Sequence, residues 1–165
     1  MRELRGLINE LRSVMPQAKA LTEAAAYDIN DDAISNIQSN GSIDLGAGGG
    51  LLSHQFVKVL NPYTFEVGNS AKWAPFVEWG TGKQVKVPAE LQSYANQFKG
   101  PYPGTWDEFE ENIEAWLGRH GIDKSKKYML MNAILERGLK AKPFLWPAYQ
   151  KNKAKLIAQI KSLLR

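Results

Sequence analysis

The sequence predicts an α+β fold in which a small, mostly antiparallel sheet is packed with helices. In the middle of the chain two β-rich runs, Gln55-Phe56-Val57-Lys58-Val59-Leu60 and Tyr63-Thr64-Phe65-Glu66-Val67-Gly68, flank the turn formers Asn61-Pro62, which is a hairpin signal. On either side of them apolar residues recur at the spacing of amphipathic helices. With 165 residues, 44% of them hydrophobic and 23% charged, the chain is long enough for one core of its own. A single domain over 1–165 is therefore expected: N-terminal helices over 1–40, a glycine-rich loop over 41–50, an α+β core over 51–148 with an insertion near 89–105, and a C-terminal helix over 146–165.

The elements follow in order. Leu4, Leu7, Ile8, Leu11, Val14 and Met15 predict a short amphipathic helix, which Pro16 interrupts. A second helix starts at that proline and carries Leu21, Ala25, Ile29, Ala33 and Ile37 on one stripe. Asn40-Gly41-Ser42 ends it, and Gly46, Gly48, Gly49 and Gly50 make a turning or flexible loop. After the hairpin, the alternation Lys83-Gln84-Val85-Lys86-Val87 predicts a third strand. Residues 90–104 read as a loop. Thr105 followed by Glu108 is a capping box that opens a helix with Phe109, Ile113, Trp116 and Leu117 on its apolar side. A further helix spans 128–139, and the last one carries Leu156, Ile157, Ile160, Leu163 and Leu164 among lysines.

Composition excludes much chemistry. The chain has no cysteine, so thiolate nucleophiles, iron–sulfur clusters and Cys-based zinc sites are out, and His54 and His120 are its only imidazoles. Neither histidine has a sequence context that suggests catalysis. His54 adjoins Ser53, and chain neighbours seldom face each other; His120 lies in a helix stop, where a basic group complements the helix dipole. Two phosphate motifs fail: the dinucleotide fingerprint has Leu at position 51 where Gly is needed, and Gly80-Thr81-Gly82-Lys83 is followed by Gln84 in place of Ser or Thr. The acids Asp107, Glu108, Glu110, Glu111 and Glu114 read as a solvated helix face. Glu78, between Val77 and Trp79, reads as a structural carboxylate served by N–H groups of the turn at 80–82 or by a cation. No catalytic residue, cofactor or metal is expected. No apolar run approaches the ~20 residues that cross a bilayer, so no membrane partner is expected either.

The net charge of +4 hides a split. Residues 1–117 hold nine Lys and Arg against fifteen Asp and Glu, whereas residues 118–165 hold twelve against two. Such bipolarity suits nucleic acid, an acidic partner, or copies packed head to tail.

The order of motifs narrows the choice. A Gly-bearing segment before Leu51-Leu52-Ser53 leads to a hairpin ending in Phe65-Glu66-Val67-Gly68. Two boxes follow, Trp73-Ala74-Pro75-Phe76-Val77-Glu78-Trp79-Gly80-Thr81-Gly82 and Lys142-Pro143-Phe144-Leu145-Trp146-Pro147-Ala148. This series resembles the neck and tail-completion proteins of long-tailed bacteriophages, the HK-ninety-seven-type gene-ten-product family, whose members read YAPYVEFGT at the first box and ARPFLRPA at the second. The resemblance covers about 45–148. Lys142 stands where Arg is usual, Trp146 replaces another Arg, and Gly48-Gly49-Gly50 lies in a loop that is more often Thr-Gly-x-Leu.

The resemblance implies a non-enzymatic virion protein that sits in a ring, a hexamer, between the DNA-filled head and the tail. Its partners would be other copies of itself, a head-closure or connector protein, and a tail-terminator or tail-tube protein, with nonspecific DNA in the lumen. It would be found in the virion neck, and in the host cytoplasm during assembly. In the boxes, Trp73, Pro75, Phe76, Glu78, Trp79 and Gly80, and Pro143, Phe144, Leu145 and Pro147, are the structural residues. Phe76, Trp79, Phe144 and Trp146 are expected to fold the boxes against the sheet, with the prolines fixing the turns. The last helix supplies the expected assembly surface: Lys151, Lys153, Leu156, Ile157, Ile160, Lys161 and Leu164. The alternative is a nucleic-acid-binding module that uses the basic C-terminal segment; a small hydrolase is a more remote one.

Overall fold

A computed structural model describes residues 2–40, 50–96 and 105–164, with residues 2–11 as helical backbone only. The glycine-rich loop expected over 41–50 lies outside the described residues except at Gly50, as does the stretch 97–104 of the expected insertion. The architecture is α+β, mostly helical with one two-stranded antiparallel sheet. Its helices are α1 (Arg2–Ser39), α2 (Ala74–Trp79), α3 (Gln92–Ala95), α4 (Trp106–Arg119), α5 (Lys127–Arg137) and α6 (Leu145–Leu163); its strands are β1 (Gln55–Asn61) and β2 (Thr64–Asn69). The described residues gather into two compact units, one from α1, residues 51–70 and residues 144–164, the other from Gly50 and residues 71–96 and 105–143.

In the first unit α6 lies antiparallel along α1. The stripe Ala26, Ala33 and Ile37 on α1 is buried, as are Phe144, Ala148 and Asn152 at four-residue spacing along α6. Alanine at the contact lets two helix backbones approach closely. Polar links fix the register. Asn36 Nδ2 donates to the Phe144 carbonyl at 2.9 Å, Asn152 Nδ2 to Asp32 Oδ2 at 2.7 Å, Lys151 Nζ to Asp32 Oδ1 at 2.9 Å, and Lys155 Nζ to Asp28 Oδ2 at 2.6 Å.

The hairpin joins this unit. Its ladder runs from Gln55 opposite Asn69 to Asn61 opposite Thr64, with an irregularity between Val59 and Asn61. Asn61 Oδ1 accepts from the Tyr63 N–H at 3.0 Å, the side-chain turn that makes asparagine a turn former. Toward the tip the strands leave cover, and Val59, Leu60 and Tyr63 are exposed.

In the second unit α4 starts on the expected capping box: Glu108 N–H donates to Thr105 Oγ1 at 3.2 Å, and Thr105 N–H donates to Glu108 Oε2 at 2.8 Å. Leu117 of α4 and Met131 of α5 are the unit's largest fully buried side chains.

Three expectations are corrected. The N-terminal region is one helix with Pro16 inside it and not two helices. Proline removes the bond to the Arg12 carbonyl, but Arg12 and Pro16 are exposed, so water can serve that oxygen. Gln17 Nε2 adds a bond to the Ser13 carbonyl at 3.2 Å beside the gap.

The third strand expected at 83–87 does not form. Gly82, at φ 53°, turns the chain into a short 3₁₀ turn over Gly82–Gln84, and the Lys86 N–H closes back on the Trp79 carbonyl at 2.8 Å. The expected loop after 89 begins instead with a 3₁₀ turn over Ala89–Leu91 and the short α3.

Candidate functional site

The two boxes are far apart in sequence, and the backbone brings their neighbourhoods together. The Lys142 N–H donates to the Val77 carbonyl at 2.8 Å, and the Thr81 N–H to the Leu139 carbonyl at 2.9 Å. The Leu139 N–H in turn donates to Thr81 Oγ1 at 2.7 Å. Residues 77–81 thus run antiparallel to 139–142, and a threonine hydroxyl ties the far end.

Two glycines permit the approach. Gly80 has φ 76° and ψ −176°, and Gly138 has φ 76° and ψ 175°, a region essentially closed to other residues. A Cβ on Gly80 would sit 2.6 Å from the Leu139 carbonyl oxygen, and one on Gly138 would sit 2.0 Å from that of Thr81. The contact is made backbone to backbone, so no side chain larger than hydrogen fits.

Around this joint the first box is well covered. Glu78 is buried, Trp79 is 9% exposed and meets Tyr94 edge-on at 5.7 Å, and Phe76 is half-buried. Pro75 opens α2 from its first turn, where its missing N–H costs nothing. Trp73 is exposed. The backbone N–H groups of Gly80, Thr81 and Gln84 are engaged by the carbonyls of Phe76, Leu139 and Thr81. A nest for phosphate at this glycine turn would need them.

The second box divides. Pro143 closes the second unit, while Phe144, 2% exposed, and half-buried Leu145 and Trp146 begin α6 in the first. Trp146 lies 5.4 Å from the Tyr149 ring, and Pro147 is exposed in the first turn of the helix.

The expected assembly surface on α6 is mixed. Lys151 is bound to Asp32 within the chain. Lys153 lies over the Tyr149 ring at 5.4 Å. Leu156 and Ile160 are half-buried, whereas Ile157, Lys161 and Leu164 are exposed. The hydrogen bond from Lys151, then that from Asn152, holds the Asp32 carboxyl below the ordinary carboxylate value.

A comparable ion cluster locks α4 to α5. Lys127 Nζ contacts Glu110 and, at 2.5 Å, Glu114, while Lys124 reaches Glu114 at 3.6 Å and Tyr128 donates to Glu110 at 3.2 Å. The hydrogen bonds to Glu110 and Glu114 push the Lys127 ammonium above its ordinary value, and the one from Lys127 lowers Glu114. Lys124, Lys127, Lys151 and Lys155 of the basic C-terminal segment are therefore neutralised by acids of the same chain.

The histidines take local roles. His54 Nδ1 lies 3.1 Å from Ser70 Oγ, beyond the end of the hairpin ladder, and the sequence reading, which compared His54 with Ser53 alone, missed this neighbour. His120 stacks on Trp116 at 4.2 Å, and its Nδ1 carries the proton donated to the Trp116 carbonyl at 2.9 Å.

Comparison of the chain with protein-family models, with curated proteins and with solved structures finds no match. Among the described residues no group of three His, Cys, Asp or Glu could hold a metal ion, and no helix is long and apolar enough to cross a membrane. What residues 77–86 and 137–142 form is a rigid main-chain joint that presents cations outward; Lys83, Lys86, Arg137, Lys140 and Lys142 are all exposed.

Proposed function

We propose that the chain is a structural subunit of a bacteriophage neck, joining the DNA-filled head to the tail as one member of a ring, a hexamer. The joint between residues 77–81 and 139–142 carries this reading. The first box of the phage-neck pattern and the entry to the second are used as backbone-to-backbone packing, with glycines at the points of closest approach and with the bonds between 77–81 and 139–142 made by backbone groups and the Thr81 hydroxyl. Residues used in this way specify a shape that must be held.

Exposed apolar side chains support the same reading. Val59, Leu60 and Tyr63 lie at the hairpin tip, Tyr128, Met129 and Leu135 on α5, and Ile157 and Leu164 on α6. A head-to-tail ring needs two different faces per subunit, and exposed apolar patches of this kind mark contact surfaces. Head-closure or connector protein on one side and tail-terminator or tail-tube protein on the other are the further partners of the proposal, and the virion neck is its location.

The alternative is a nucleic-acid-binding module that uses the basic C-terminal segment; within that segment Lys151 and Lys155 of α6 are compensated by Asp32 and Asp28, which leaves α6 the weaker part of it for phosphate. The test is the mass of the purified chain in solution between 50 and 500 mM salt, followed by imaging of any particle. A closed ring of fixed stoichiometry that survives high salt is expected. A chain that stays monomeric at all concentrations, and alone turns over an ester or a nucleotide, overturns the proposal.

A further inference from the structure

We infer that the loop joint of the second unit is a binding surface for the sugar-phosphate backbone of double-stranded DNA. Five exposed cations lie on its two segments: Lys83, Lys86, Arg137, Lys140 and Lys142. Two of them stand on the joint itself, since the Lys142 N–H bonds the Val77 carbonyl and the Lys86 N–H the Trp79 carbonyl. Lys83, Arg137 and Lys140 lie within two residues of Thr81 or Leu139, which bond each other, so each Cα is within about 7 Å of the joint along the chain.

The charges are uncompensated. Among the described residues none of the five makes an ion pair, whereas Lys124, Lys127, Lys151 and Lys155 each do. The acid within these two segments, Glu78, is buried; Glu90 and Glu136 flank them. Among the described residues the joint therefore holds five exposed cations without an ion pair, while on α6 Lys151 and Lys155 are paired with acids and Lys153 and Lys161 are not.

The chemistry of the surface selects its ligand. It presents ammonium and guanidinium groups on short loops whose backbone is fixed by bonds and glycine contacts, so little ordering is needed on binding. The exposed side chains between the cations are Gln84, Val85 and Leu139, and neither segment offers an exposed aromatic platform on which unstacked bases could lie. That combination fits phosphates of an intact duplex, read without regard to sequence. The inference does not depend on ring formation.

The test uses the full chain and a fluorescein-labelled 30-base-pair duplex of mixed sequence, with anisotropy measured between 50 and 200 mM NaCl. Five phosphate contacts give a log–log salt slope of about −4.5, a loss of affinity of about 500-fold over that range. The Lys83→Ala/Lys86→Ala/Lys140→Ala chain should retain its circular dichroism spectrum and show a slope of about −1.8, a loss of only about 12-fold. The Lys151→Ala/Lys153→Ala/Lys161→Ala chain should bind as the parent does. A second duplex of unrelated sequence should bind equally well. Absence of binding by the parent at 50 mM salt, an unchanged slope in the first variant, or a reduced slope confined to the α6 variant would each overturn the inference. So would a first variant that binds DNA normally but no longer forms rings, which would assign the cations to a neighbouring copy. Ring mass, read separately on each chain, keeps this outcome apart from failure of the neck proposal.

Discussion

Replacing Gly138 by Ala places a methyl group 2.0 Å from the Thr81 carbonyl oxygen, while Gly121, also at positive φ, has nothing within 4 Å of an added Cβ. The pair separates the backbone conformation from the close approach. At Gly121 the cost is that of a left-handed residue alone, about 1–2 kcal/mol. At Gly138 the φ 76°, ψ 175° conformation costs about 1–3 kcal/mol by itself. The methyl must in addition push Thr81 away from Leu139, weakening two hydrogen bonds of about 0.5–1.5 kcal/mol each. The expected total at Gly138 is about 2–6 kcal/mol. Urea unfolding followed by tryptophan fluorescence measures both variants, and hydrogen exchange at the Lys142 amide reports whether the joint has opened. If the Gly138→Ala chain lies within about 0.5 kcal/mol of the Gly121→Ala chain, the close approach does not hold the boxes together, and the reasoning from the joint fails.

Other substitutions test the cores and the ion pairs. Phe144→Ala should cost about 3–5 kcal/mol, because the ring is 2% exposed; its carbonyl bond from Asn36 survives, so the loss is packing. Trp79→Ala should cost a similar ~3–5 kcal/mol, whereas Leu164→Ala, at 67% exposed, should leave the melting temperature unchanged; unchanged melting in the first two refutes the core assignment. Because Asp32 is depressed in the folded chain by Lys151 and Asn152, its contribution is present above its ordinary value of 3.8 and disappears as pH falls through the lower folded value. Asp32→Asn should thus destabilise by less than about 1 kcal/mol near pH 6, since Lys151 is 70% exposed, and the difference should close in melting curves as pH falls well below 3.8. For Lys127 the sign is opposite: its raised value gives stability that is complete below 10.5 and falls at more alkaline pH, so Lys127→Met should flatten the alkaline limb of the melting profile.

The elements with a local cause were legible in the sequence. Thr105 and Glu108 mark the start of α4 because each satisfies the other's backbone N–H, and Asn61 marks the hairpin turn through its own side-chain bond. The α6 stripe was legible as apolar but its cover was not, since the match of Phe144, Ala148 and Asn152 to α1 is a long-range event. Pro16 misled because a proline signals one missing bond, and a helix whose gap faces water tolerates that loss. The alternation at 83–87 misled because a strand also requires a neighbour, and here the backbone closes on Trp79. The joint was invisible for the same reason: the requirement for Gly80 and Gly138 lies in each other's segments, more than fifty residues apart, as Thr81 and Leu139 are at a separation of 58.

The α1–α6 pairing also sets the order in which the molecule can form. Lys155 and Asp28 are separated by 127 positions, whereas Gln55 and Asn69 at the hairpin base are separated by 14. Closing the longer loop costs about 2 kcal/mol more chain entropy. During synthesis α1 emerges first and has no helix to pair with until α6 has followed it, whereas the hairpin is built from continuous sequence. The helical pair is then the last element to close, and the exposed residues of α6 reach the surface only on a chain whose other parts are already folded.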